Sequence, residues 1–405
     1  MRYVKVLTIL AAVGIMAGCA SIGWDAKMAK NTFGDDLEFL TKHTQVVLLS
    51  DTSGDSQVVV LPKMQGRVMT SSAEGADGLS FGWINRELVS SGELVEHINV
   101  FGGEDRFWIG PEGGQFSIFF KNEAPFDLEH WFTPAPIDTE AFELVSISKN
   151  RAVLKKDMQL ENYSRTVFNL RVDREVRVLG KDEAVAELGT TPAEAVKMVA
   201  FESTNKMTNT GDKAWEKETG LLSIWILGMF NPSPRTTVVV PFNAGTESRL
   251  GPAVNDSYFG KVPSDRLIVK DDVLFFSGDG QYRSKIGLSP QRSKPVLGSY
   301  DAVNKVLTIV QYNKPAGATD YVNSMWELQD EPFKGDVVNS YNDGPPEPGA
   351  EPMGPFYELE TSSMAAALKP GGKISHIHRT FHLQGSEKNL DPIAKATLGV
   401  TIDEI

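Results

Sequence analysis

The sequence predicts an all-β fold, mostly antiparallel with a few short helices, on three observations. Short runs of β-branched or aromatic residues recur along the chain, Gly, Pro, Asn or Asp bounds most of them, and two pairs of runs are joined by tight turns. The recurring runs are residues 46–49, 57–61, 116–120, 166–172, 222–227, 237–240, 273–276 and 306–311. Residues 142–148 and 152–156 flank Lys149 and Asn150, and 298–300 and 305–310 flank a turn at 301–304, as hairpin strands do. Many short strands with frequent turns indicate a sandwich or barrel.

Helix signals are few. Thr191, Pro192 and Glu194 offer an N-cap, a proline at the first helical position and an acid at the third, which predicts a short helix there. Two further helices are expected near 33–44 and 83–89. Prolines across 343–355 remove ladder donors, so this segment is a stiff loop just before the strand that carries Glu358 and Glu360. Such a loop shapes a neighbouring cleft or serves as a plain surface connection.

The N-terminus reads as a leader. Arg2 and Lys5 precede an apolar run at 6–17, and small residues lead directly to Cys19. This is the order of a bacterial lipoprotein signal: residues 1–18 are expected to be removed, and Cys19 to carry lipid on its thiol. The run is too short for a useful membrane span. Residues 19–35 then form the lipidated tether and 36–405 a single domain, extracytoplasmic and held in the cell envelope. Ala20 directs it to the outer membrane. Cys19 is the only cysteine, so no disulfide is available and stability rests on core burial.

Composition is that of a globular protein, with 41% hydrophobic and 23% charged residues. The formal charge of −13 becomes −15 once two basic residues leave with the leader (−13 − 2). An acidic surface repels phosphate backbones, which argues against a nucleic-acid partner. No nucleophile elbow, P-loop, dinucleotide fingerprint or zinc-protease motif occurs, and no cofactor is implied.

Several residues are suited to chemistry. Strand alternation places Glu358 and Glu360 on one face, with Tyr357, Leu359 and Thr361 on the other. Adjacent carboxylates repel, which raises one pKa toward the range a general acid or base needs; a solvated strand face is the plain alternative. Arg106, among Glu104, Asp105 and Glu112, is either a clamp for ligand oxygens or a structural ion-pair node. Trp108, Trp131, Trp225 and Trp326 offer flat faces for a pyranose, although most tryptophans are core. Trp131 is favoured as a stacking platform, because Pro134 and Pro136 stiffen its loop, and His130 beside it is a candidate proton donor. Asn342 and Asp343 complete the expected substrate-binding set with Glu358. On the last strand His376, His378 and His382 share a face with Thr380, expected to meet water or the cleft. His376 and His378 are spaced to hold a transition metal, against which stands an ordinary polar strand face; no metal is assigned.

Leu359, Glu360 and Thr361 resemble the Leu-Glu-Thr that supplies the catalytic base in galactose mutarotases, and the turn at Pro370, Gly371 and Gly372 follows at a similar distance. With the phrases at 102–112, 131–138, 220–230 and 339–344, the chain looks closest to an uncharacterised group of bacterial lipoproteins. That group lies within the galactose mutarotase-like (aldose 1-epimerase-like) superfamily. The resemblance spans about 99–383 and implies a β-supersandwich with a ligand cleft on the concave face of one sheet. Phe101 stands where the family's first proton-donating histidine is expected, and no histidine occupies 220–224, where the second is expected. The implied function is a lipid-anchored protein that binds or processes carbohydrate. Glu360 would be base or acceptor, Arg106 an oxygen clamp, His130 the acid and Trp131 the platform. Non-catalytic carbohydrate binding, lyase or glycosidase action and a structural envelope role are the alternatives.

Overall fold

Residues 32–347 and 349–405 are described by a computed structural model of the chain. The signal segment 1–18, Cys19 and most of the tether lie outside the described residues. All the predicted runs except 116–120 become strands, and every strand pair is antiparallel. The two predicted hairpins are present as Glu143–Ser148 with Arg151–Glu161, and Val296–Asp301 with Val306–Tyr312.

The segment 116–120 departs from expectation for a local reason. Ser117 donates its hydroxyl to the Glu112 carbonyl and accepts from the Phe119 amide. A side chain that bonds its own neighbours in this way competes with a ladder. Phe119 and Phe120 are buried outside any strand instead, with a single bridge from Phe120 to Trp131.

Ten strands form one sheet and five another, with a three-stranded sheet beside the five. The five run, edge to edge, Ser284–Leu288, Val338–Asn342, Tyr357–Ser362, Ser223–Phe230 and Arg106–Gly110. A bridge between Val68 and Asp105 continues this layer into the three-stranded sheet, so the smaller sheets together face the ten-stranded one. Hydrogen bonds from Tyr357 to Ser299, and from Thr361 to His376 and His378, cross between the layers.

The first helix, Phe33–His43, begins inside the stretch read as a tether. Thr32 and Asp35 form a reciprocal capping box, and Phe33 and Leu40 are buried against Val59, Leu61 and Met69. Packing with the body therefore reaches back at least to this cap, ahead of residue 36. A second helix, Arg86–Ser91, starts at Asn85 and stops at Gly92, which takes a left-handed φ of 67°. The helix expected at Thr191 does not form. Lys181–Leu188 is helical instead, and at the expected place the chain closes only a single turn, the Val196 amide donating to the Ala193 carbonyl, before the strand Lys197–Asn209 begins.

The histidine strand corrects a second expectation. His376, His378 and His382 face neither water nor a cleft; they lie buried between the layers. The other side of their strand is covered by the C-terminal helix Glu387–Leu398, whose Leu390, Ile393 and Leu398 pack with Phe381 and Leu383. With both faces covered, alternation alone does not tell in from out. Burial pushes His376 down to about 3 and His378 to about 4, so both are neutral near pH 7. Each bonds the Thr361 hydroxyl, at 2.8 and 2.9 Å. Among the described residues no group of three or more His, Cys, Asp or Glu is placed to hold a metal ion.

Candidate functional site

The strand Tyr357–Ser362 organises the site because it runs through the middle of the five-stranded sheet. Thr361 points to the inner layer, so Glu358, Glu360 and Ser362 point the opposite way. Register then decides their neighbours. Glu360 lies opposite Asn339 on one side and Leu227 on the other; Leu227 lies opposite Arg106, and Ser362 opposite Trp225. Glu358 pairs with Tyr341, which pairs with Lys285. Two carboxylates, two cations and two indoles thus share one sheet face, drawn from segments far apart in sequence.

Each glutamate is held by a cation. Arg106 donates to Glu358 at 3.2 Å and stacks its guanidinium 4.2 Å from the Trp108 ring centroid. Glu360 accepts at one oxygen, Oε2, from Lys285 Nζ at 3.1 Å and from the Trp225 indole at 3.0 Å. Its other oxygen, Oε1, is buried without a partner. Burial raises Glu358 above the usual carboxylate range; Arg106 opposes that rise and the Glu360 charge adds to it. Burial pulls Lys285 down, but Glu360, Glu112 and Glu358 outweigh it and leave the ammonium more basic than usual. Burial also raises Glu112 and Asp336.

Irregular segments roof this face and leave a crevice of ≈ 10 Å³ lined by Trp225, Tyr258, Lys285, Ser324, Asp336 and Asn339, among others. That is room for about one water. Tyr258 donates to Asp336 at 2.7 Å and accepts from Asn339 at 3.2 Å. Lys285 Nζ lies 4.9 Å from the Trp225 ring centroid and 5.5 Å from that of Tyr258. Tyr258, Ser324 and Asp336 are partly exposed and form the mouth.

Glu360 does not open onto a saccharide-sized hollow. It is 0% exposed and lies one layer behind the crevice, whose wall is made by its two donors, Lys285 and Trp225. Its role in this arrangement is to charge and position Lys285, which corrects its expected placement as the base in contact with ligand.

The structure sorts the other expected residues into three places. Arg106, Glu112, Glu358 and Trp326 belong to the Glu360 neighbourhood: Arg106 bonds Glu358, and the Glu112 carboxyl feels Lys285, Glu360 and the Trp326 indole. Trp131 is also nearby but is buried, with the Trp326 ring stacked at 5.7 Å and that of Phe119 at 5.9 Å, so it is core rather than a platform. Glu104 and Asp105 lie on the inner side, where Glu104 bonds His382 at 2.8 Å and Asp105 pairs with Arg174 at 2.6 Å. Both are sealed in the interior, Glu104 by a hydrogen bond and Asp105 by an ion pair, which corrects the substrate-binding assignment.

His130 and the Asn342–Asp343 pair are elsewhere again. His130 sits in an exposed turn and bonds Asp127 at 2.7 Å, with no hydrogen bond into the glutamate cluster, which corrects its expected place as proton donor. Asn342 accepts from the Gly280 amide and donates to the Tyr282 carbonyl, pinning a turn. Asp343 accepts from the Gly354 amide and from Tyr341, so it fastens the proline-rich loop to the sheet; burial pushes it up to about 6.

Sequence reasoning missed Lys285, Tyr258 and Asp336. A signal existed for Lys285, since it interrupts an otherwise small and apolar strand, where lysine is disfavoured. Tyr258 and Asp336 come from irregular loops and carry no periodic signal.

Among curated proteins none matches this chain. A solved aldose 1-epimerase-like protein from Escherichia coli K12 is similar over 84% of this chain and 99% of its own, at 13% identity and a TM-score of 0.51. A galactose mutarotase-like protein from Lactobacillus casei ATCC 334 covers 84% of this chain and 100% of its own, at 8% identity and a TM-score of 0.48. At such identities the likeness is one of fold. The antiparallel layers and the Escherichia coli neighbour establish an aldose 1-epimerase-like, that is galactose mutarotase-like, β-sandwich fold. By the match of its model to residues 31–405, the chain belongs to a family described as a family of unknown function, DUF6786.

Proposed function

We propose that this chain binds carbohydrate at the crevice beneath Tyr258 and Asp336. One observation supports the reading most: a polar crevice with two aromatic walls, Trp225 and Tyr258, where Lys285, Asp336 and Asn339 converge on a mutarotase-like fold. Aromatic faces suit the C–H face of a pyranose, and a cation beside a carboxylate suits its hydroxyls. The crevice holds one substituent of a sugar rather than a whole ring, which then rests at the mouth. Binding is favoured over turnover because the two carboxylates are locked in ion pairs and Glu360 has no access to a ligand.

Titration of the full chain with a panel of hexoses and oligosaccharides, followed by tryptophan fluorescence, tests this. Saturable quenching or enhancement is expected, because Trp225 lines the crevice. A flat response across the panel would end the proposal, and optical rotation change in the same samples would convert it from binding to catalysis.

The proposal extends to location: an exported chain anchored to the outer membrane through lipid on Cys19. Metabolic labelling with palmitate should mark the chain and fail to mark Cys19→Ala. Equal labelling of both, or of neither, would remove the anchor.

A further inference from the structure

We infer that the crevice selects a single free, uncharged sugar hydroxyl, so that its ligands are neutral glycoses carrying neither an amino nor an acidic group at that position. The inference deepens the carbohydrate reading and rests on it. Three unused polar functions line the crevice. Lys285 is 9% exposed, and its ammonium carries three protons, of which one is used on Glu360. Asp336 accepts from Tyr258 and from Asn255 at the same oxygen, Oδ2, which leaves Oδ1 without a hydrogen bond among the described residues. The Ser223 hydroxyl is 0% exposed and has no partner.

A donor that needs an acceptor thus shares the crevice with an acceptor that needs a donor. A hydroxyl serves both, since it gives one proton and offers lone pairs. An ammonium has no lone pair for Lys285 and is repelled by it. A carboxylate or phosphate has no proton for Asp336, and it finds both nearby cations already paired, Arg106 with Glu358 and Lys285 with Glu360. Volume points the same way, because ≈ 10 Å³ admits one heavy atom and excludes an N-acetyl or carboxyl group. The unpartnered serine separates this site from an ordinary acidic cluster, since a buried polar atom without a partner is costly unless a ligand or water reaches it.

The experiment uses the full chain and a neutral methyl hexoside that binds it. The same hexoside is then measured deoxygenated, fluorinated or aminated at each ring position in turn. Removal at one position should weaken binding by at least about tenfold, with the others tolerated. Amino and fluoro groups at that position should each fail, the first because it cannot accept from Lys285 and the second because it cannot donate to Asp336. Asp336→Asn should narrow the gap between hydroxyl and fluoro ligands, a ratio taken within one preparation and so independent of its folded fraction. If every deoxy ligand, or the amino or fluoro analogue at that position, binds as well as the parent, the inference is overturned while carbohydrate binding stands. If no hexoside binds, both are overturned.

Discussion

Arg174→Met is expected to cost about 3–5 kcal/mol of stability, the largest effect of any single change considered, because it strands a buried carboxylate. Arg174 is fully buried and donates to Asp105 Oδ1 at 2.6 Å, to the Asp105 carbonyl at 3.1 Å and to the Gly66 carbonyl at 3.0 Å, with a further bond to Asn205. It ties the ten-stranded sheet to the layer that carries Arg106. Without it Asp105, whose Oδ2 already lacks a partner, would hold an uncompensated charge in the interior. Adding Asp105→Leu should restore part of the loss, since removing both partners of a buried pair is far cheaper than removing one. Urea denaturation of the two variants measures this. A single variant within about 1 kcal/mol of the parent would show that water reaches the pair.

The second large effect joins stability to the site. Lys285→Met leaves Glu360 buried with only the Trp225 indole, and the expected loss is again about 3–5 kcal/mol. It also removes the donor that the crevice offers to a ligand. Pairing it with Glu360→Gln should recover most of the stability, because a neutral amide still accepts from the indole. Sugar binding should not return, since no cation remains in the crevice. That split is informative: if the double variant regains binding along with stability, Lys285 is a fold element and the ligand is recognised elsewhere.

Much of the architecture was legible because strand signals are local. A run such as Gln57–Leu61 carries its own β-propensity and its own boundaries, and it is a strand with the expected limits. The resemblance built on Glu360 agrees with the fold of the solved aldose 1-epimerase-like protein from Escherichia coli. Legibility failed where a residue's environment is supplied by distant chain. Trp131 in its proline-flanked loop read as a platform, yet it is buried with Trp326 and Phe119 stacked against it. Glu104 and Asp105 sit beside Arg106 in sequence, but alternation sends Asp105 to the opposite side of the sheet, where Arg174 meets it. His130 read as an acid by adjacency to Trp131 and proved to be a surface residue paired with Asp127.

By itself the sequence determined that this is an antiparallel all-β chain, that Glu358 and Glu360 share a face, and that Arg106 has carboxylates for neighbours. These follow from backbone alternation and residue type, which are properties of contiguous segments. Only the tertiary structure decided that Glu360 is sealed behind Lys285 and Trp225, that the histidines line the interior, and that Tyr258 and Asp336 guard the crevice. Burial and ion pairing depend on which strand lies alongside and which loop lies above, and those partners come from chain segments whose separation no local pattern encodes.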